Sequence, residues 1–132
     1  MGKGWIGVDL DATLAYYTGW DGGRIGRPIP EMVAKVKEKL TEGVTVKIFT
    51  ARMAVKDEAT RQAIARSIGD WTELVFGVRL EATNEKDFDT QEIWDDRCRQ
   101  VVKNEGVFVD EITSEAMMDA LKNLIKQQGA NS

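Results

Sequence analysis

Apolar and polar positions along the chain fall into blocks that read alternately as strand and helix. Trp5-Ile6-Gly7-Val8-Asp9-Leu10 is a short, mostly apolar run ending in carboxylates, which predicts a strand. Pro28 and Pro30 bracket Ile29 ahead of a different pattern, in which Val33, Val36 and Leu40 recur at spacings of three and four. Pro30 suits a first helical position and Gly43 the residue just past a helix end, so a helix is predicted over 30–42. Val44-Thr45-Val46-Lys47-Ile48-Phe49 is β-branched and apolar apart from Lys47, a second strand that stops at Thr50. Lys47 fits a buried strand only if its stem snorkels out at an edge of the covering layer. Strand, helix and strand in this order predict a βαβ unit with parallel strands.

Further along, Val55, Ala59, Ala63, Ile64 and Ile68 form one stripe, a helix over 54–69. Two continuations stand open: a new turn starting at Asp70 with Glu73 three residues on, or a helix running through Gly69 to Phe76. A short strand follows over 78–83, and Gln91-Glu92-Ile93-Trp94 leads as a fourth strand into Asp95-Asp96. Residues 100–103 and 107–109 read as two strands around the turn Asn104-Glu105-Gly106. The last helix spans 114–128, with Ala116, Met117, Ala120, Leu121, Leu124 and Ile125 on its stripe, Ser114 as cap and Gly129 as stop. The pattern is α/β: a doubly wound, mostly parallel sheet with a C-terminal hairpin and helix, one domain over 1–132.

Composition narrows the chemistry. Eighteen basic against 22 acidic residues give a formal charge of −4, unlike the basic footprint of a general nucleic-acid binder. The chain has no histidine, which removes every mechanism with imidazole as base, acid or metal ligand. Its single cysteine, Cys98, excludes an intrachain disulfide and a multi-cysteine zinc site, and with no histidine to activate it reads as buried and inert. Trp5, Trp71 and Trp94 read as core. No apolar run approaches the ~20 residues of a membrane span, and Met-Gly-Lys-Gly-Trp at the start holds no apolar signal region, so a cytoplasmic protein without membrane contact is expected.

In open α/β sheets, functional groups collect at the carboxyl ends of the strands. Here those ends carry Asp9-Leu10-Asp11-Ala12-Thr13, Thr50-Ala51-Arg52, Thr83-Asn84-Glu85-Lys86 and Asp95-Asp96-Arg97. Clustered carboxylates do not all ionise cheaply without a cation, and an oxygen-only donor set of this kind suits Mg²⁺ sharing its shell with phosphate. A lysine and a hydroxyl beside the cation serve the remaining phosphate oxygens, and a carboxylate nucleophile can take the phosphoryl group. The set has the composition of a histidine-free phosphoryl-transfer site.

Val8-Asp9-Leu10-Asp11-Ala12-Thr13-Leu14, Ile48-Phe49-Thr50-Ala51-Arg52, Thr83-Asn84-Glu85-Lys86 and Ile93-Trp94-Asp95-Asp96-Arg97 resemble, in order, the four motifs of the haloacid dehalogenase superfamily. The resemblance covers about 5–97 and is closest to the small capless hydrolases of phage and bacterial genomes. It implies Asp9 as nucleophile, Asp11 as general acid/base, and Thr50 and Lys86 as binders of the phosphoryl oxygens. It also implies a Mg²⁺ site from Asp9, Asp95 and the backbone carbonyl of Asp11, with Asp96 as a further ligand or as orienter of Lys86. Thr13, Ala51, Arg52 and Trp20 are candidates for substrate contact, Arg52 alternatively as a structural ion-pair partner. Tyr16, Tyr17 and Trp20 either stack on a base or sugar or pack beneath the Gly-rich loop, and packing is the expectation.

The family usually has glycine where this chain has Ala12; a positive φ there would cost alanine about 1 kcal/mol and threaten the placement of Asp11. Residues 14–29 are too few for a cap domain and 51–82 are filled by helix, so the site is expected to be open. By the resemblance, such sites take bulky substrates or are covered by a neighbouring subunit in a homo-oligomer. The implied activity is Mg²⁺-dependent phosphomonoester hydrolysis through an aspartyl-phosphate, on a phosphorylated small molecule, a nucleotide or a nucleic-acid end. A non-catalytic phosphate or nucleotide binder on the same scaffold is the alternative. A receiver-type phosphoacceptor is disfavoured because its paired acids come first, whereas here they come last.

Overall fold

The computed structural model describes residues 4–111 and 114–130. The chain falls into two compact units, one ending at Asp96 and the other beginning at Arg97. The first holds β1 (Trp5–Val8), α1 (Pro30–Thr41), β2 (Thr45–Phe49), a 3-10 turn (Ala51–Met53), α2 (Glu58–Phe76), β3 (Ala82–Thr83) and β4 (Thr90–Trp94). The four strands form one sheet in the order β3-β2-β1-β4, all parallel. Val8 pairs with Ile48 on one side and Trp94 on the other, so the residues after β1, β2 and β4 emerge at the same edge.

The helices begin and end where the chain supplies the chemistry. Pro30 opens α1, Val33 and Val36 bury its inner stripe, and Gly43 takes φ +83 just past its end. The Asp57 carboxylate caps α2 by accepting the Thr60 N–H at 2.8 Å, and Gly77, at φ +80, closes it. Of the two continuations open at Asp70, the longer one forms. Asp70 pairs with the Arg79 guanidinium instead of capping a new turn, and Gly69 makes room for that arginine: a Cβ there would lie 2.6 Å from Arg79 Nη2. Buried Thr72 donates its hydroxyl to the Gly69 carbonyl and accepts the Leu80 N–H, both at 2.9 Å, tying α2 to the chain that leads into β3.

Ile6, Val8, Val46 and Ile48 meet Val33, Val36 and Ile68 in one core, together with fully buried Leu10 and Leu14. The connections β1–β2 and β2–β3 step in the same direction across the sheet, so right-handed crossovers place α1 and α2 on one face. Among the described residues of this unit, the second helical layer of a doubly wound sheet is therefore not present. The opposite face carries Trp5, Gly7, Lys47 and Phe49. The Trp5 ring needs the absence of a side chain at Gly7, where a Cβ would come within 3.0 Å of it. Lys47 is accommodated by lying 4.5 Å over that ring and pairing with Glu81 at 3.2 Å. Trp5 is core as expected, whereas Trp71 and Trp94 are half-buried and pack against the core from outside.

In the second unit the expected hairpin shrinks to a single antiparallel bridge, Val101 with Phe108, and residues 109–111 turn into 3-10 helix. Arg99 decides this locally. Its guanidinium stacks 3.7 Å over Phe108 and pairs with Asp110 at 2.9 Å, which favours a turn over a strand. α3 spans Ser114–Ala130, running through Gly129 rather than stopping there. Met118, Leu121, Leu124 and Ile125 are exposed on it, while the Ser114 cap and the packing of Ala116, Met117 and Ala120 lie outside the described side chains.

Candidate active site

β1 and β4 are neighbours, and each ends in acid. The Asp9 N–H extends the ladder by donating to the Trp94 carbonyl at 2.8 Å, which sets Asp9 beside the residues that follow β4. Carboxylate oxygens of Asp9, Asp95 and Asp96 all lie within 4.8 Å of one another. After Asp9 the chain turns sharply: the Leu14 and Ala15 N–H groups both reach back to the Leu10 carbonyl at 2.9 Å. Ala12 sits in this turn at φ +69, the left-handed conformation that the sequence made costly for alanine.

The turn delivers Thr13 into the cluster. Its hydroxyl lies 3.1 Å from Asp96 Oδ1 and 3.3 Å from Asp9 Oδ2, and it accepts the Asp96 N–H at 3.1 Å. A hydroxyl has one proton, so it serves one carboxylate at a time. Thr13 thus links the acids instead of facing a substrate alone, and its place four residues after Asp9 was the signal for that role.

Crowding has an electrostatic consequence. Burial, then the charge of Asp95, then the hydrogen bond with Asp96 push the Asp9 carboxyl from its ordinary 3.8 up to about 7, with the Leu10 amide pulling weakly the other way. At neutral pH the Asp9 carboxyl is therefore close to half-protonated. A hard divalent cation removes the same repulsion, and three close carboxylates with no nitrogen or sulfur ligand are the donor set such a cation takes. The residues present therefore fit a Mg²⁺-type ion.

The other motif residues are placed differently. The Asp11 carboxylate stands apart from the three acids, gripped by Arg52 Nε and Nη2 at 2.8 Å each. Arg52 also donates to the carbonyls of Gly23 (2.8 Å) and Arg24 (3.1 Å), leaving its side chain 8% exposed. Of the two roles open to Arg52, the ion pair is the one the structure displays, and it binds Asp11 to the 20–24 loop. Thr50 is buried, and its hydroxyl accepts the Arg52 N–H at 3.1 Å, capping the 3-10 turn that contains exposed Ala51. Lys86 is exposed in the loop between β3 and β4 and makes no hydrogen bond or ion pair with another described residue, so no contact joins it to the acids.

The 15–28 loop is well tied. Ala15 bridges Pro28, the Tyr16 N–H donates to Arg27 O at 2.9 Å, and Trp71 Nε1 donates to Gly26 O at 3.2 Å. Gly26 is obligatory, since a Cβ would fall 2.0 Å from the Tyr16 carbonyl oxygen. Against expectation the loop's aromatics do not pack beneath it: Tyr16, Tyr17 and Trp20 are 43%, 44% and 67% exposed. Two of them rest on guanidinium groups, Tyr16 on Arg27 at 4.7 Å and Trp20 on Arg52 at 5.1 Å. Cys98 is likewise exposed, not buried. No described helix is long and apolar enough to cross a membrane.

Comparison with protein-family models, with curated proteins and with solved structures returned no significant match to this chain.

Proposed function

We propose that this chain is a Mg²⁺-dependent phosphomonoester hydrolase of the haloacid dehalogenase type, acting through an aspartyl-phosphate on Asp9. The observation that carries the reading is the meeting of Asp9 with Asp95 and Asp96, remote in sequence, within 4.8 Å at one edge of a parallel sheet. The order of the four motifs along the chain supports it independently. Asp9, Asp95 and Asp96 would hold the cation. When bound, Mg²⁺ supplies the positive charge that lets these carboxylates ionise together and offsets charge on the phosphoryl oxygens.

The Asp9 carboxylate then attacks phosphorus, forming an acyl-phosphate bond while the ester P–O bond breaks. The departing alkoxide takes a proton from the Asp11 carboxyl. Water next attacks the aspartyl-phosphate, gives its proton to Asp11, and releases inorganic phosphate with Asp9 restored. For Asp11 to pass a proton, its contact with Arg52 must open on at least one oxygen. Thr50 and Lys86 are assigned to the phosphoryl oxygens, and the exposure of Lys86 leaves it room to reach them.

The test is phosphate release from an aryl phosphate. Release is expected with Mg²⁺, to vanish with a chelator, and to fall at least about a thousandfold in Asp9→Asn, which removes the nucleophile. Turnover that survives Asp9→Asn sinks the mechanism. One observation favours a second reading, a non-catalytic phosphate or nucleotide binder: both oxygens of Asp11 are engaged by Arg52. Mg²⁺-dependent binding of a phosphate analogue without turnover of any monoester is the outcome that selects it.

A further inference from the structure

We propose that the indole of Trp20 is a stacking platform for the base of a nucleoside monophosphate whose phosphate meets Asp9, an inference that rests on the hydrolase reading above. The indole is 67% exposed, although tryptophan is highly buried on average, and the loop that carries it is anchored. Arg52 holds the carbonyls of Gly23 and Arg24, and its guanidinium lies 5.1 Å from the Trp20 ring centroid, supporting one face. Gly23, with no side chain, flanks the ring at the Cζ2 and Cη2 edge. The indole is thus held before any ligand arrives, so little ordering entropy opposes stacking on the ring.

The flat exposed face selects the ligand class. The same guanidinium that lies against Trp20 binds both oxygens of Asp11, so one side chain touches both the indole and the acid/base of the proposed mechanism. In a nucleoside monophosphate one sugar separates base from phosphate. A sugar phosphate offers no aromatic face to the indole, whereas a nucleotide does. A nucleobase is also the flat, polarisable partner that an aromatic side chain stacks on without sequence preference.

Rates for deoxyadenosine 5′-monophosphate and 2-deoxyribose 5-phosphate, both with Mg²⁺, test this directly, because the two share sugar and ester and differ only in the base. A stacked base predicts kcat/KM roughly ten- to a hundredfold higher for the nucleotide. Trp20→Ala is expected to bring that ratio near one and Trp20→Phe to restore most of it. Equal rates in the wild type, or a ratio unmoved by Trp20→Ala, overturn the inference while leaving the hydrolase reading intact. If neither compound is hydrolysed, release from an aryl phosphate still decides the hydrolase reading, and stacking is then judged by binding. Deoxyadenosine 5′-monophosphate should quench indole fluorescence in the wild type and not in Trp20→Phe, and absence of that difference overturns the inference. A 5′-phosphorylated dinucleotide run in parallel distinguishes a strand end from a lone nucleotide as the source of this chemistry, and preference for either over deoxyribose 5-phosphate supports the platform.

Discussion

Ala12 holds φ +69 in the turn that carries Thr13 into the acid cluster. A left-handed alanine costs roughly 1–2 kcal/mol, while glycine there would forfeit about 0.4–1 kcal/mol through its looser unfolded chain. Ala12→Gly is therefore expected to stabilise the protein by roughly 0.5–1 kcal/mol, raising Tm by about 2–5 °C in thermal unfolding. A lower Tm would show that the turn gains nothing from glycine. The strain was foreseen only through the family resemblance, which puts glycine at this position. Asp9, Asp95 and Asp96 were legible in the sequence, since a strand's last residue fixes where its acid emerges. For Arg52 the ion pair was one of two open roles, and the carbonyls of Gly23 and Arg24 that favour it are brought to it only by the folded loop. The same limit hid the exposure of Cys98 and Trp20, because burial is a property of neighbours and neither residue's sequence context names them.

At the scale of elements, periodicity found α1 and the two long parallel strands, and Gly43 and Gly77 stopped the helices where left-handed caps are needed. The continuation at Asp70 was undecidable locally because the deciding partner, Arg79, lies beyond the helix end. The hairpin after residue 100 is shorter than the pattern predicts, and Arg99, Phe108 and Asp110 contact one another where its second strand would continue. Thr72 shows how such elements are tied. Its buried hydroxyl is the acceptor for the Leu80 N–H, and no backbone group replaces it in that role. Thr72→Val keeps the shape and strands that N–H, so a loss of about 1–3 kcal/mol in urea-unfolding stability is expected. Because the acids sit on β1 and β4 and not on β3, Mg²⁺-dependent activity per folded molecule should stay within about twofold. A large drop in activity without a drop in stability would mean that the α2–β3 tie shapes the site.

The molecule as a whole registers the acid cluster through its dependence on pH. In the unfolded chain Asp9 titrates near 3.8, and in the fold burial and the neighbouring acids lift it to about 7. Between these values the folded state binds more protons than the unfolded one, so the stability of the metal-stripped protein should decline as pH rises from about 4 to 7 and then level off. Asp9→Asn removes the carboxylate that must ionise against its neighbours. It should flatten that decline and make the stripped protein more stable than the wild type above pH 7. A cation reverses the slope, because it favours the same ionised carboxylates that destabilise the stripped fold. Mg²⁺ and the Asp9 proton then compete, and apparent Mg²⁺ affinity should weaken by about tenfold per unit as pH drops below 7. In thermal unfolding the Mg²⁺-induced rise in Tm should accordingly be larger at pH 8 than at pH 5.5 for the wild type, with the difference much reduced in Asp9→Asn. A Tm that rises equally with Mg²⁺ at both pH values would place the ion elsewhere on this acidic surface, and would separate the carboxylate cluster from any role in holding it.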